Sequence, residues 1–220
     1  MKRNWNKKIP GKIIIWGGTG QSKLSRPIIE FYQSEVIAVF DDTPNLISPF
    51  LDIPIYNGWG QFISWLKNKS KNEIGFCIAI GNPHARIRID LYEKLMGIGL
   101  VPVTLIHPSA VVAESATIGS GSQIMANAVV QPDAEIGKQC IINSNCYVDH
   151  EVTLKDGVEL VAGAQVMGLS CIGEYSTIGA KSVILSRLTI GGDVEIGAGC
   201  IVDKNINNNL KHFNLSKRIQ

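Results

Sequence analysis

The chain has 220 residues, of which 45% are hydrophobic and 18% charged, with a formal net charge of +2. That length accommodates one large core or two modest ones, and so small a charge gives no reason to expect nucleic acid or an anionic membrane surface as partner. The apolar run after the basic start MKRNWNKKIPGK is too short for a signal peptide or a membrane span, which predicts a cytoplasmic protein without membrane insertion.

The first half alternates strand and helix signals. KIIIWGG (12–18) reads as a buried strand running into glycines, and QSKLSRPIIEFYQ (21–33) as a helix in which Pro27 belongs to the first turn or to a kink. EVIAVFDD (35–42) is a second strand that stops at two aspartates. GQFISWLKNKS (60–70) has helical spacing, GFCIAIGN (75–82) is a third strand, and ARIRIDLYEKLMGIG (85–99) is a helix closed by glycine. Strands made of unbroken apolar runs, separated by helices, predict a parallel sheet covered on both faces. Residues 1–104 are therefore expected to form a small Rossmann-like α/β domain.

From residue 105 the period changes to six. Stepping by six from Ile106 reaches Val112, Ile118, Ile124 and so on to Val202, and every step is Val, Ile or Leu. Four places after these aliphatics the residue is usually small, as at Ala110, Ser122, Cys140, Ala164 and Ser182, and glycine often follows the aliphatic directly. Such a beat belongs to a parallel β-helix, in which the aliphatic points into a prism and three hexads of about six residues complete a coil. It is expected over 105–203, followed by a C-terminal tail, 204–220.

Within these elements a few residues suggest chemistry. WGGTGQSK (16–23) lies where a strand hands over to a helix, and there Gly18, Thr19 and Gly20 either cradle a phosphate or make a tight turn. Lys23 stands where a dinucleotide fingerprint has its third glycine. Asp41 and Asp42 end the second strand, where an acid reaches a ribose. Taken alone they suggest NAD, yet about a hundred residues are too few for both mononucleotide halves. Asn82 and Arg86, in IGNPHAR, lie on the same edge of the sheet, within reach of a pyrophosphate or sugar; Arg86 reads equally as a solvated helix residue.

NCYVDHEVTLKD (145–156) holds His150 between two acids and directly after an inward aliphatic, so the ring should face outward. It is either a solvated surface histidine or a base whose tautomer the acids hold. The cysteines at 77, 140, 146, 171 and 200 form no CxxC pair and no zinc spacing and read as small buried residues. Only His107 and His150 lie in or at the edge of the hexads, about two coils apart, which leaves no three-histidine metal site; no metal is expected.

The unbroken hexads resemble the left-handed β-helix of the hexapeptide-repeat acyltransferases. With the Rossmann-like domain in front, residues 12–203 resemble the sugar acetyltransferases of the PglD/NeuD group, which build bacterial cell-surface sugars. The resemblance implies an acetyl-CoA-dependent N-acetyltransferase acting on a UDP-linked 4-amino sugar. His150 would be the base, oriented by Glu151, and Gly168, eighteen residues further on, would present its N–H to the thioester carbonyl. Ala180 and Ala198, in IGAKS and IGAGC, would line the groove for the pantetheine arm and adenine, or simply satisfy the prism corner. The nucleotide would fall to Gly18, Thr19, Gly20, Asp41 and Asp42, and a homotrimer would place its sites between neighbouring β-helices.

Three departures from the group stand out. Glu159 occupies the place of a second histidine that helps bind the acetyl donor, the glycine loop lacks a following histidine, and NNNLKHFNLSKRIQ (207–220) lacks the Gly-Asn-Pro-Ala ending. Two other readings fit the shared features: a sugar O-acetyltransferase of the sialic-acid type, and a non-catalytic nucleotide-sugar-binding subunit.

Overall fold

The run Ile13-Ile14-Ile15 has no polar side and cannot face water across either surface of a sheet. In the computed structural model, which describes residues 9–212, it forms the middle of a five-stranded parallel sheet. The strands are β1 (Lys12–Trp16), β2 (Glu35–Asp41), β3 (Ile55–Asn57), β4 (Ile74–Ile78) and β5 (Val101–Pro102), ordered β3-β2-β1-β4-β5. Helices α1 (Gly20–Phe31), α2 (Gly58–Leu66) and α3 (Ala85–Gly97) make the crossovers. β3 and β5 were not anticipated, because segments this short show no period of their own. Pro27 lies inside α1, past its first turn.

The strand order reverses direction at β1, between β2 on one side and β4 on the other. In such sheets the crevice outside the carboxyl ends of the strands at that reversal receives the ligand. Behind it, Trp16, Phe40 and Phe62 pack ring to ring, with centroids 5.0–5.6 Å apart, and fix the ends of β1 and β2.

The chain divides into two units between Leu105 and Ile106, and the second is the expected left-handed parallel β-helix. Its strands are two residues long and form three parallel sheets of six, five and seven strands. As far as Val202 each strand pairs with the one eighteen residues on, as Val130 with Val148 and Val148 with Val166. The inward aliphatics from Ile124 to Val202 are buried, while Ile106, Val112 and Ile118, in the first coil, are only partly covered. The coiling continues past 203: Ile206 bridges to Ile190, and Lys211–His212 pairs with Glu195–Ile196. The tail expected from 204 is therefore helix as far as 212, and residues 213–220 lie outside the described residues.

Two features of the hexad now have physical causes. The glycine after the aliphatic is where coils touch: a Cβ on Gly179 would stand 2.5 Å from the Gly197 carbonyl carbon, and one on Gly119 would stand 2.4 Å from that of Gly137. The small corner residue hydrogen-bonds across coils. The Ser182 hydroxyl donates to the Gly197 carbonyl at 2.6 Å and accepts the buried Cys200 N–H at 3.1 Å. Ser182→Ala leaves that N–H without its acceptor and should cost about 1–3 kcal/mol of stability. Urea unfolding would show it as a lower midpoint at unchanged slope; an unmoved midpoint would mean the hydroxyl carries no stability.

Candidate active site

At the reversal of the first sheet, two glycines after β1 serve packing. Gly17 has φ +109, with its Cβ direction blocked by the Ala79 carbonyl oxygen at 2.4 Å; a Cβ on Gly18 would meet Ile55 and Leu46 at 2.8 Å. Thr19 and Gly20 are exposed, and the space around Gly20 is open. α1 starts there with no side-chain cap and no acid in its first turn, so its leading N–H groups and dipole favour an anion.

Asp41 holds the backbone around it. One carboxylate oxygen accepts the Gly18 N–H at 2.6 Å and the other accepts the Thr43 N–H at 2.8 Å, so both oxygens hold the chain itself. Asp42 is exposed. Beside them a recess of about 220 Å³ is lined by Asp41, Thr43, Asn45, Leu46, Ile55, Tyr56, Asn57 and Gln61. Asn57 shapes it, its side-chain amide donating to the Asp41 and Thr43 carbonyls at 3.1 and 3.0 Å. Tyr56 and Asn57 went unnoticed in the sequence because β3 did, and Gln61, in the anticipated helix α2, carried no signal of its own. Asn82 and Arg86, both exposed, follow β4 and so lie across β1 from this recess.

His150 sits at the prism corner between the six- and five-stranded sheets, and its side chain is about half exposed, at 51%. Nδ1 is 3.1 Å from a Glu151 carboxylate oxygen. A carboxylate only accepts, so in the neutral ring Nδ1 carries the proton and Nε2 the lone pair. Nε2 occupies the direction in which residue 168 would project a side chain: a Cβ on Gly168 would lie 2.6 Å from it. Gly168 is buried directly under the ring.

The second acid does not reach the imidazole. Asp149 accepts the His150 N–H at 2.8 Å on one oxygen and the Gly168 N–H at 3.1 Å on the other. The N–H expected to face a thioester carbonyl is thus held by a carboxylate of the same chain. Tyr147, whose hydroxyl is 3.3 Å from Asp149 and takes a bond from the Gln131 amide at 3.2 Å, completes this set. Neither Tyr147 nor Gln131 stood out in the sequence, since both occupy ordinary hexad positions.

The remaining candidates lie elsewhere on the prism. Glu159 opens a strand of the seven-stranded sheet, where it is buried and 3.4 Å from the Asn143 amide, away from the His150 corner. Ala180 and Ala198 fall on the corner between the seven- and six-stranded sheets, one coil apart. One chain therefore separates them from His150 by the whole six-stranded face. The outward row of that face is Val111, Val129, Tyr147, Gln165, Val183 and Ile201, with Val111 and Ile201 more than 60% exposed. His107 stands at the first coil, its Nδ1 2.8 Å from the Ser109 hydroxyl. Two of the cysteines are poor nucleophiles: burial pushes the Cys77 thiol up to about 12 and the Cys146 thiol up to about 11. Among the described residues, no group of three or more His, Cys, Asp or Glu is placed to hold a metal.

Comparison with known proteins finds the PglD N-terminal domain over residues 12–95 and the bacterial transferase hexapeptide over 115–150. The UDP-N-acetylbacillosamine N-acetyltransferase of Bacillus subtilis (strain 168) is 34% identical over 116 residues, which is 52% of this chain and 51% of that protein. The match thus spans about half the length of that curated relative. Two solved structures are similar over nearly their whole length. The acetyltransferase domain of PglB from Neisseria gonorrhoeae FA1090, in complex with acetyl coenzyme A, has a TM-score of 0.83 at 27% identity, covering 94% of this chain and 98% of that one. PerB from Caulobacter crescentus, in complex with CoA and GDP-perosamine, has a TM-score of 0.83 at 28% identity, covering 96% and 98%.

Proposed function

The chain belongs to the PglD/NeuD-like hexapeptide-repeat acyltransferases, and from that premise we propose that it transfers the acetyl group of acetyl-CoA to the amine of a nucleotide-linked sugar for surface-glycan biosynthesis. The observation that carries the reading is the placement of His150: a half-exposed ring with Nδ1 against Glu151, which in the neutral form leaves the lone pair on Nε2, next to a glycine. Nε2 takes a proton from the neutral sugar amine as its nitrogen attacks the thioester carbonyl. The C–S bond then breaks and coenzyme A leaves as a thiolate, which is stable enough to need no protein nucleophile.

In this reading the first N–H groups of α1, at Thr19 and Gly20, take the pyrophosphate, and Asp42 takes a ribose hydroxyl. Asp41 acts indirectly, by holding the Gly18 loop. Asn82 and Arg86 flank the diphosphate or the sugar from the β4 side. UDP is the favoured nucleotide, because the relative matched at 34% identity acts in UDP-sugar chemistry, while PerB was solved with a GDP-sugar. Ala180 and Ala198 serve the donor from a neighbouring copy. Their corner and the His150 corner border the same six-stranded face, whose outward row is largely apolar, and a homotrimer closing on that face supplies both. The cytoplasm, where acetyl-CoA is held, is the compartment this chemistry requires.

Thiol release from acetyl-CoA tests the reading, with UDP- and GDP-linked 4-amino-4,6-dideoxysugars and their 4-hydroxy counterparts as acceptors. Release with an amino sugar, faster for the UDP form, is the expected result. Release with the hydroxyl sugars alone would make the enzyme an O-acetyltransferase, and none with any of them would leave a binding subunit.

A further inference from the structure

We infer that Asp149 is a positioning residue for this reaction, its carboxylate clamping together the two backbone segments between which the imidazole of His150 is held. The inference rests on the acetyltransferase reading, and starts from the register of the coils. At this corner the residue one place after the inward aliphatic donates its N–H to the next coil, as Asp149 does to Val166, and the residue three places after donates to the previous one, as Leu169 does to His150. The residue between them has no such partner. His150 and Gly168 are those residues in consecutive coils, so their N–H groups emerge together at the corner beneath the ring.

At two other corners such an N–H is capped by a side chain of the next coil: Asp156 accepts the Lys138 N–H at 2.8 Å and Asn208 the Gly192 N–H at 2.9 Å. One coil on from His150 stands Gly168, which has no side chain to offer. Asp149 fills the gap from the side, one oxygen on each N–H, and the Tyr147 hydroxyl bears on the first oxygen from the outer face. The ring is then constrained from three directions: Glu151 at Nδ1, Gly168 beneath, and Asp149 on the backbone of both. Removing the carboxylate frees the two coils to shift by fractions of an ångström, which moves Nε2 without unfolding the prism. Catalysis is far more sensitive to such a shift than binding is.

The test uses full-length protein with Asp149→Ala and Asp149→Asn. Asp149→Ala should lower kcat per folded enzyme about tenfold or more, with KM for both substrates within about twofold, and lower Tm by the few degrees that the stranded Gly168 N–H costs. Asp149→Asn, whose amide oxygen still accepts one N–H, should fall between it and the native enzyme, and it carries the test should the alanine variant not fold. A kcat that tracks the loss of folded protein, or does not change, would overturn the inference. So would a fall in the KM for acetyl-CoA with a raised kcat, because Asp149 would then be obstructing the Gly168 N–H from the donor. If the native protein acetylates no amino sugar, the acetyltransferase reading fails by itself. The clamp is then judged by hydrogen exchange of the 166–170 segment: faster exchange in Asp149→Ala supports it, and unchanged exchange refutes it.

Discussion

His150→Ala is expected to lower kcat for acetyl transfer about a hundred- to ten-thousand-fold, the range general bases contribute. The protein should otherwise be unaffected. The side chain is half exposed and its one side-chain bond is to Glu151, itself 54% exposed, so its loss opens no cavity and strands no buried group. KM for acetyl-CoA and for the nucleotide sugar should stay near native, since the imidazole acts on the proton in flight rather than on either substrate at rest. The measurement is steady-state thiol release beside a thermal unfolding curve. A variant that keeps full rate would return His150 to the class of solvated surface histidines, and the whole catalytic reading with it.

Gly168→Ala should come close to that loss through the same ring. The added methyl would stand 2.6 Å from Nε2 and 2.8 Å from Cε1, so ring or methyl must move. The ring is the freer of the two, being the outer end of a rotatable side chain, whereas residue 168 is buried and fixed by its coil. Gly168 also has no positive φ, so alanine meets no backbone strain there. The expected outcome is a stable protein whose base is displaced by about an ångström, for a loss on the order of a hundredfold in kcat. The double variant separates this from damage elsewhere. If the methyl acts only by moving the ring, adding Gly168→Ala to His150→Ala should cost nothing more; a further fall would give Gly168 a role of its own.

Much of this was legible before any coordinates. The hexad count located every inward residue from Ile106 to Val202, because a coil of eighteen residues leaves no freedom in which side chain enters the prism. The same count placed Gly168 next to His150. It also contained a signal that went unused: Glu159 is half a coil from His150, and Ala180 is not a whole number of coils away, so neither shares its corner. In the first unit the long apolar runs announced β1, β2 and β4, while β3 was too short to announce itself and took Tyr56 and Asn57 with it.

The choice of partner by each polar group was not legible. Asp149 and Glu151 flank His150 symmetrically in the chain, yet only Glu151 reaches the ring. Asp149 turns instead to two N–H groups, one of them nineteen residues away. Asp41, at the end of a strand where an acid can reach a ribose, also holds Gly18 and Thr43. By itself the sequence determined architecture and register, since burying an aliphatic at every sixth residue leaves one way to stack the coils. The tertiary structure decided the hydrogen bonding of the site: a backbone N–H left over by the ladder must find an acceptor, and the nearest one is set by coils in contact, not by neighbours in the chain.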